Sequence, residues 1–211
     1  MTSSFDPIEV QLLADDARLI AAIGELRWRE WGHAPEPEDL DWWIDVTARE
    51  AGRDRLPVTW VAVDGRGDAL GAVGLGAYDI EERGDRSPWV LGMIVRPDHR
   101  GLGIGRLLMS HLEAWAGKHG YMQVWVANEG PAIGFYQACG WELSEEVETA
   151  TGAGCSCSLS TFREQNTICV PSSREGIASP HAPSSTPDTL CGTRGEAIPA
   201  LFMRYTVGVP P

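Results

Sequence analysis

The first part of the chain changes between strand-like and helix-like spacing of its apolar residues. Apolar and polar positions alternate over residues 8–12, which predicts a strand that begins just after Pro7. Over residues 15–31 the apolar positions recur at helical spacing. A second helix is expected within 37–52, because proline and acidic residues suit a first turn and glycine suits a helix end. The chain therefore opens with one strand and two helices.

Further along, the pattern indicates the strands of one sheet. Residues 58–63 and 69–75 are separated by a turn-forming segment and predict an antiparallel hairpin. The almost wholly apolar run at 89–95 is typical of a central strand that is covered on both faces. Helix, strand, helix and strand then follow at 103–118, 122–126, 131–140 and 141–143. This order predicts the α/β fold class with a mixed sheet.

The last quarter of the chain has a different composition. Residues 149–196 are rich in Ser, Thr, Pro, Gly and Cys with little periodicity, so we expect a disordered or loosely ordered insertion. Strand character returns at 200–207, which indicates that the insertion interrupts the sheet domain. We therefore predict a single domain formed by residues 6–148 and 197–209.

Composition narrows the function only slightly. The chain has 211 residues, enough for one domain with a buried core, and a formal net charge of −13 at pH 7. This acidity argues against nucleic acid and anionic membrane as partners and favours a cationic one, although it is also common in proteins that bind no cation. Residues 1–7 lack a basic segment followed by an apolar run, which predicts a cytoplasmic location.

The cysteines indicate neither a metal site nor a disulfide framework. They occur at irregular positions without a Cys-x-x-Cys pair: Cys139, Cys155, Cys157, Cys169 and Cys191. We interpret them as reduced thiols and expect no metal. Cys139 is interpreted as a small packed side chain rather than a nucleophile.

The most informative segment joins the apolar strand at 89–95 to the helix at 103–118. It reads Arg100-Gly101-Leu102-Gly103-Ile104-Gly105-Arg106. A helix start carries backbone N–H groups without partners and a partial positive charge, and glycines let a phosphate approach the backbone. No Gly-Lys-Ser/Thr ending is present, which argues against a nucleotide P-loop, and Arg106 stands where a dinucleotide fingerprint needs glycine. The turn therefore predicts a pyrophosphate site of another kind.

The string Arg100-x-x-Gly103-x-Gly105, preceded by Val95-x-Pro97, resembles the coenzyme A signature of the GCN5-related N-acetyltransferase (GNAT) superfamily. The resemblance implies a GNAT-like acyl-CoA N-acyltransferase fold and an enzyme with acetyl-CoA as acyl donor. It also implies that the amides of residues 100–106 hold the pyrophosphate. The pantetheine arm would pair with the backbone of the strand, where Gly92 marks a bulge, at residues Met93, Ile94 and Val95.

A second segment, residues 128–141, resembles another cofactor-contact region of the same superfamily, with Tyr136 at the place of its usual tyrosine. The departing thiolate of coenzyme A must gain a proton, and a phenol can donate it, so we predict Tyr136 as the catalytic acid. The alternative is a core aromatic beside Phe135. Asn128 is a predicted cofactor contact, although it stands eight residues before Tyr136 whereas the family places its asparagine seven before.

An ammonium acceptor must lose a proton before it attacks the thioester, and the sequence does not single out the base. Asp79, Glu81 and Glu82 precede the central strand and Glu30 ends the first helix. We name Glu81 as the candidate base, with an exposed charged loop as the alternative. The early helices, which in the superfamily commonly wall the acceptor site, carry four tryptophans that could hold a cation or cover the sheet: Trp28, Trp31, Trp42 and Trp43.

Together these features predict an N-acetyltransferase that moves acetyl from acetyl-CoA to an amine by direct transfer in a ternary complex, with a carbonyl-binding amide near Met93. The acceptor is expected to be a small molecule or peptide amine, with no nucleic acid and no membrane as partners and a homodimer as one option. The alternative is a non-catalytic acyl-CoA sensor, motivated by the missing base and the long insertion.

Overall fold

The computed structural model describes residues 7–33, 38–128, 132–148 and 156–163, which form one mixed sheet with helices on both faces. The strands are β1 (Glu9–Leu12), β2 (Val58–Val63), β3 (Ala69–Gly76), β4 (Trp89–Val95), β5 (Gln123–Asn128), β6 (Glu142–Glu148) and β7 (Ser156–Arg163). The helices are α1 (Arg18–Trp31), α2 (Leu40–Arg49), α3 (Ile104–Lys118) and α4 (Ala132–Ala138). Short 3-10 turns occupy Leu13–Asp15, Glu81–Arg83 and Pro97–His99. The predicted α/β fold class with a mixed sheet is confirmed.

The sheet has the strand order β1-β2-β3-β4-β5-β7-β6. All neighbouring strands are antiparallel except β4 and β5, which are parallel. Parallel neighbours need a long crossover connection, and α3 supplies it. The predicted hairpin at residues 58–75 is present as β2 and β3.

Both faces of the central strands are buried because successive side chains of a strand point to opposite sides. All six residues of β2 are buried, with Trp60 packed in the same core as Leu108 and Leu112 of α3. Its neighbour Val61 packs on the other face with Ile23 of α1. The sheet therefore separates an α3 and α4 side from an α1 and α2 side.

Strand β7 differs from the expectation of an unstructured segment at 149–196. It lies between β5 and β6 and pairs with both along its length. Its sequence places Cys157 and Leu159 between serines, a two-residue alternation that the Ser-rich composition hid, and two neighbouring ladders satisfy its backbone. The rest of that segment and the predicted strand at 200–207 lie outside the described residues.

Within the described ranges, no helix has both the length and the apolar character that a membrane crossing requires. The cytoplasmic location stays a prediction.

Candidate active site

A cleft opens beside β4 in the middle of the sheet, where that strand stops pairing with β5. Among the described residues, the two strands share a single paired position, Trp89 with Trp125, at the start of β4. Past this point they no longer pair, and a cavity of about 290 Å³ lies beside the second half of β4, lined by that strand, the following turn, the start of α3, and α4. A gap in the sheet at this place can admit an extended ligand whose polar groups bond to the free strand edge.

Gly92 shapes the wall of this cleft. Its φ is +49°, and the register between β3 and β4 shifts between Ala72 and Gly74, so that β4 carries one extra residue. Positive φ favours glycine, and an extra residue bends the strand and re-aims the backbone beside it. The predicted bulge at Gly92 is therefore confirmed.

The turn after β4 forms one end of the cleft. Gly101 and Gly103 have φ values of +77° and +83°, and α3 begins directly afterwards. The first-turn N–H groups of a helix lack intrahelical partners and carry the positive end of its dipole. A Cβ atom at Gly105 would lie 2.9 Å from Met93 Cε and 3.0 Å from Phe135 Cε2. Glycine at this position therefore lets α3 begin against both side chains.

Most of the predicted cofactor-binding residues line this one cleft. They are Met93, Ile94, Val95, Arg100, Gly101, Gly103, Ile104, Gly105 and Arg106. Leu102 is not among the lining residues and its side chain is exposed. Asn128, the buried last residue of β5, is likewise not among them. The structure thus groups most of the turn with the end of β4 around the cleft, and Leu102 and Asn128 do not line it.

Two arginine side chains tie the turn to its surroundings. Arg100 donates from Nε to the Val95 carbonyl (3.0 Å) and from Nη2 to Glu30 Oε1 (2.9 Å), at the end of α1. Arg106 donates from Nη2 to the Ala138 carbonyl (2.7 Å), at the end of α4. The turn is therefore held from both sides of the sheet, and Glu30, a candidate base in the sequence, is engaged in an ion pair.

Tyr136 lies on α4 with its side chain buried at the cleft, 3% exposed. Burial, followed by the nearby Cys139 thiol and the Asp79 carboxylate, raises the pKa of the Tyr136 phenol well above its usual value. Burial also raises the pKa of the Cys139 thiol. Both groups are therefore neutral and protonated at pH 7, and Tyr136 combines a retained proton with a position on the cleft wall.

The acidic residues before β4 are placed differently from one another. Asp79 is buried, and burial followed by the charge of Glu50 raises the pKa of its carboxyl to about 7. Its charge in turn contributes to the raised pKa of Tyr136, so the two groups are close enough to interact electrostatically. Glu81 begins the 3-10 turn Glu81–Arg83. Neither Asp79 nor Glu82 is among the residues that line the cleft.

Of the four tryptophans in the early helices, Trp31 lines the cleft. Trp43 is buried, with its ring centroid 6.0 Å from that of Trp31 and 5.2 Å from that of Trp42. Trp28 donates from Nε1 to the Glu38 carbonyl (3.1 Å). The aromatic cluster therefore offers one ring to the cleft, while the others support the α1–α2 packing.

Sequence reasoning did not identify Arg27, which the structure buries behind the cleft wall. The helical spacing of residues in α1 could have identified it. Arg27 follows Leu19 and Ile23 at four-residue intervals and so falls on the buried stripe of α1. A charged residue on such a stripe needs a buried partner, and Glu50 provides it. The cleft-lining residues Phe135, Ala138 and His99 were also not identified as such.

Comparison with known proteins agrees with this architecture. The sequence profile described as "Acetyltransferase (GNAT) domain" matches residues 56–143. An aminoglycoside 6'-N-acetyltransferase complexed with coenzyme A superposes with a TM-score of 0.60 at 12% identity, covering 74% of this chain and 96% of that chain. A GCN5-related N-acetyltransferase from Kribbella flavida superposes with a TM-score of 0.55 at 21% identity, covering 74% and 97%.

A spermidine N-acetyltransferase chimera from Vibrio cholerae and hSSAT gives a TM-score of 0.57 at 17% identity, covering 74% of this chain and 95% of that chain. These structural similarities show that the chain shares the fold of these proteins. Comparison with curated protein sequences gave no match.

The profile match, together with the split sheet and its glycine turn, defines an acyl-CoA-dependent N-acetyltransferase. Residues 56–143 match the GNAT acetyltransferase domain, and the predicted GNAT fold is confirmed.

Proposed function

We propose that this chain transfers an acetyl group from acetyl-CoA directly to a small-molecule or peptide amine, with both substrates bound at once. The observation that carries the proposal is the cleft beside β4, which is lined by the start of α3, by the part of β4 that is not paired with β5 and by Tyr136. These are the groups that a pyrophosphate, a pantetheine amide and a leaving thiolate require.

The donor would lie along the cleft from the turn to α4. The pyrophosphate would accept hydrogen bonds from the amides at the start of α3, where Gly101 and Gly103 keep side chains away. The pantetheine arm would pair with β4 after the bulge, at residues Met93 to Val95, because this edge is not paired with β5. The acyl carbonyl would then meet a backbone amide near Met93.

In the transfer step, the amine nitrogen forms a bond to the acyl carbon and the carbon–sulfur bond breaks. The sulfur takes the phenolic proton of Tyr136. Its raised pKa keeps the phenol protonated but also makes it a weaker acid, so proton donation is expected to accompany bond cleavage rather than precede it. The nitrogen loses its second proton to solvent as the amide forms, and the phenolate regains a proton from solvent after product release.

We further propose Asp79 as the base that receives the proton of the ammonium acceptor. Its pKa of about 7 leaves a substantial ionised fraction at neutral pH while keeping the carboxylate basic. Its charge also contributes to the raised pKa of the Tyr136 phenol, although Asp79 itself is not among the residues that line the cleft. Glu81, the base predicted from the sequence, is retained as the competing candidate.

The acceptor is proposed to be a cationic amine. The net charge of −13 favours a cation, and Trp31 presents an aromatic ring to the cleft. Two of the similar structures are named for amine acceptors, spermidine and aminoglycosides. Polyamines and aminoglycosides are therefore the first compounds to test.

The test is isothermal titration with acetyl-CoA followed, in the same preparation, by thiol release against a panel of amines. Binding with amine-dependent thiol release supports the proposal and identifies the acceptor. Binding without release from any amine favours the acyl-CoA sensor instead. Absence of binding would contradict the assignment of the turn at residues 100–106.

A further inference from the structure

Arg27 is the most deeply buried charged group beside the cleft. Its side chain is 1% exposed, and Nη1 donates to Glu50 Oε2 at 2.8 Å and to Thr47 Oγ1 at 3.3 Å. The pair thus joins the middle of α1 to the end of α2. The proposed transfer step involves Glu50 only through its effect on the pKa of Asp79, and it does not involve Arg27.

The remaining part of the guanidinium faces the bulge of β4. A Cβ atom built on Gly92 would lie 2.7 Å from Arg27 Nη2, 2.8 Å from Cζ and 2.9 Å from Nε. Gly92 itself lines the cleft. The guanidinium and the cleft are therefore separated by the backbone of one residue. Among the described residues, Arg27 Nε and Nη2 have no hydrogen-bond partner.

The ion pair is oriented with respect to the cleft. Glu50 Oε2 accepts a hydrogen bond from Thr59 Oγ1 at 3.3 Å, and a Cβ atom at Gly74 would lie 3.2 Å from it, so the carboxylate sits over β2 and β3. Arg27 lies over β4. The positive end of a buried dipole consequently points at the bulge, in a buried region where fixed charges act strongly.

A role in stability alone does not account for this arrangement. A buried ion pair costs desolvation energy that its attraction often fails to offset, and apolar residues of similar volume are frequently as stable. Two donors that are left without partners add to that cost. The position of the charge behind Gly92 therefore points to a second role.

We propose that Arg27 is a positioning residue for acyl transfer. It fixes the bulge so that the backbone at residues 92 and 93 turns toward the acyl carbonyl, and its charge favours the oxyanion that forms when the amine adds to that carbonyl. This rests on the proposed function, because it concerns the same reacting carbonyl. It goes beyond it by assigning a role to a group outside the cleft.

The test compares the native protein with the double variant Arg27→Met, Glu50→Gln, which removes both charges and so avoids a buried unpaired carboxylate. We expect kcat to fall about 10-fold, less than for loss of a direct oxyanion donor, because Arg27 acts through the backbone. The two proteins are compared at the plateau of their pH–rate profiles, because loss of the Glu50 charge removes one cause of the raised pKa of Asp79. The KM for acetyl-CoA and the Kd of coenzyme A should stay within about twofold. Circular dichroism and Tm would establish that the variant is folded.

The matched control is the double variant Arg29→Met, Glu25→Gln. Arg29 lies two residues from Arg27 on the same helix, and its ion pair with Glu25 (2.6 Å) is exposed. Its removal should leave kcat unchanged. Arg27→Lys, which keeps the charge but not the planar group, should retain an intermediate kcat.

A folded Arg27→Met, Glu50→Gln variant with native kcat would overturn the proposal and reduce the pair to a structural role. Loss of coenzyme A binding in parallel with kcat would also overturn it, because the effect would then lie in donor binding. If the native protein binds acetyl-CoA but acetylates no amine, the proposed function fails first and this inference fails with it.

Discussion

At the scale of single residues, the cleft depends on groups whose chemistry is set by burial. Tyr136 keeps its proton because its side chain is enclosed, and Gly92 has φ +49° with a guanidinium directly behind it. Neither the retained proton of Tyr136 nor the positive φ of Gly92 can be inferred from the residue type alone. Tyr136 was located from the sequence through a family pattern, whereas Arg27 was not, because its partner Glu50 stands twenty-three positions away and only folding brings them together.

Tyr136→Phe tests the proton donor. We expect kcat for thiol release to fall about 100-fold, the lower end of the range for general acid catalysis, because the raised pKa makes the phenol a weak donor. Affinity for acetyl-CoA should change little, since the ring is retained. A turnover rate that equals the native rate across pH would contradict the acid role. Phe135→Leu, which changes the neighbouring ring, serves as a comparison for packing effects.

Gly92→Ala tests the bulge. The added methyl group meets the guanidinium of Arg27 at 2.7 Å and requires φ +49° of a residue that rarely adopts it. We expect a lower Tm, a destabilisation of roughly 1–3 kcal/mol, and a reduced kcat. Gly67→Ala is the matched control, because Gly67 also has positive φ but no atom within 4 Å of its Cβ position. Equal effects of the two variants would show that backbone strain alone is responsible.

At the scale of elements, the turn between β4 and α3 is joined to α1 by one ion pair. Arg100 donates hydrogen bonds to both Val95 and Glu30, so a change at the end of α1 reaches the turn directly. The family pattern located the turn from the sequence, since strand, glycines and helix are adjacent in the chain. It could not show that the Arg100 side chain bonds to α1, because that contact spans seventy residues.

Glu30→Gln separates a positioning role from a role as base. The pair is largely shielded from solvent, and its loss should loosen the turn, raising the Kd of coenzyme A about threefold to tenfold, the effect of roughly 1 kcal/mol. At saturating acetyl-CoA, kcat should remain near native. Titration calorimetry and saturation kinetics together decide the matter. A large fall in kcat with unchanged Kd would instead support Glu30 as the base. Glu25→Gln, on the exposed side of α1, is the control.

At the scale of the whole molecule, the distribution of elements was predictable where local patterns are strong. The two helices, the hairpin and the apolar strand all follow from periodicity, and the sheet was expected to be mixed. Strand β7 was not expected, because its pairing with β5 and β6 compensates for a composition that is typical of loops. The splitting of β4 from β5 was also not predicted from periodicity, since it depends on how the whole sheet twists.

Asp79 links global stability to pH. Its pKa is about 7 in the folded chain against a usual value of 3.8, so the folded state holds this proton more tightly than the unfolded state. The stabilisation is fully present below about pH 4 and is lost as the pH rises through about 7. Asp79→Asn should therefore flatten the fall in Tm over this interval, with an effect on the order of 1 kcal/mol per pH unit. Tm measured at closely spaced pH values would check this, and an unchanged profile would contradict it.

If Asp79 is the base, ionisation of its carboxyl increases activity although it lowers stability. Activity should rise as the pH passes through about 7, while stability falls, because the ionised form is needed for proton transfer. In Asp79→Asn the rate should be low and should lose this rise. If the pH profile instead persists in Asp79→Asn and disappears in Glu81→Gln, the base is Glu81.

The place of β7 between β5 and β6 bears on how the protein is made. During synthesis β5 and β6 leave the ribosome before β7, so the outer edge of β5 stays open until residues 156–163 have emerged. An open strand edge can pair with another nascent chain. Premature termination near residue 150 is therefore expected to yield a product that aggregates. The part of the sheet beside the cleft thus depends on β7, which is translated after all the residues that line the cleft.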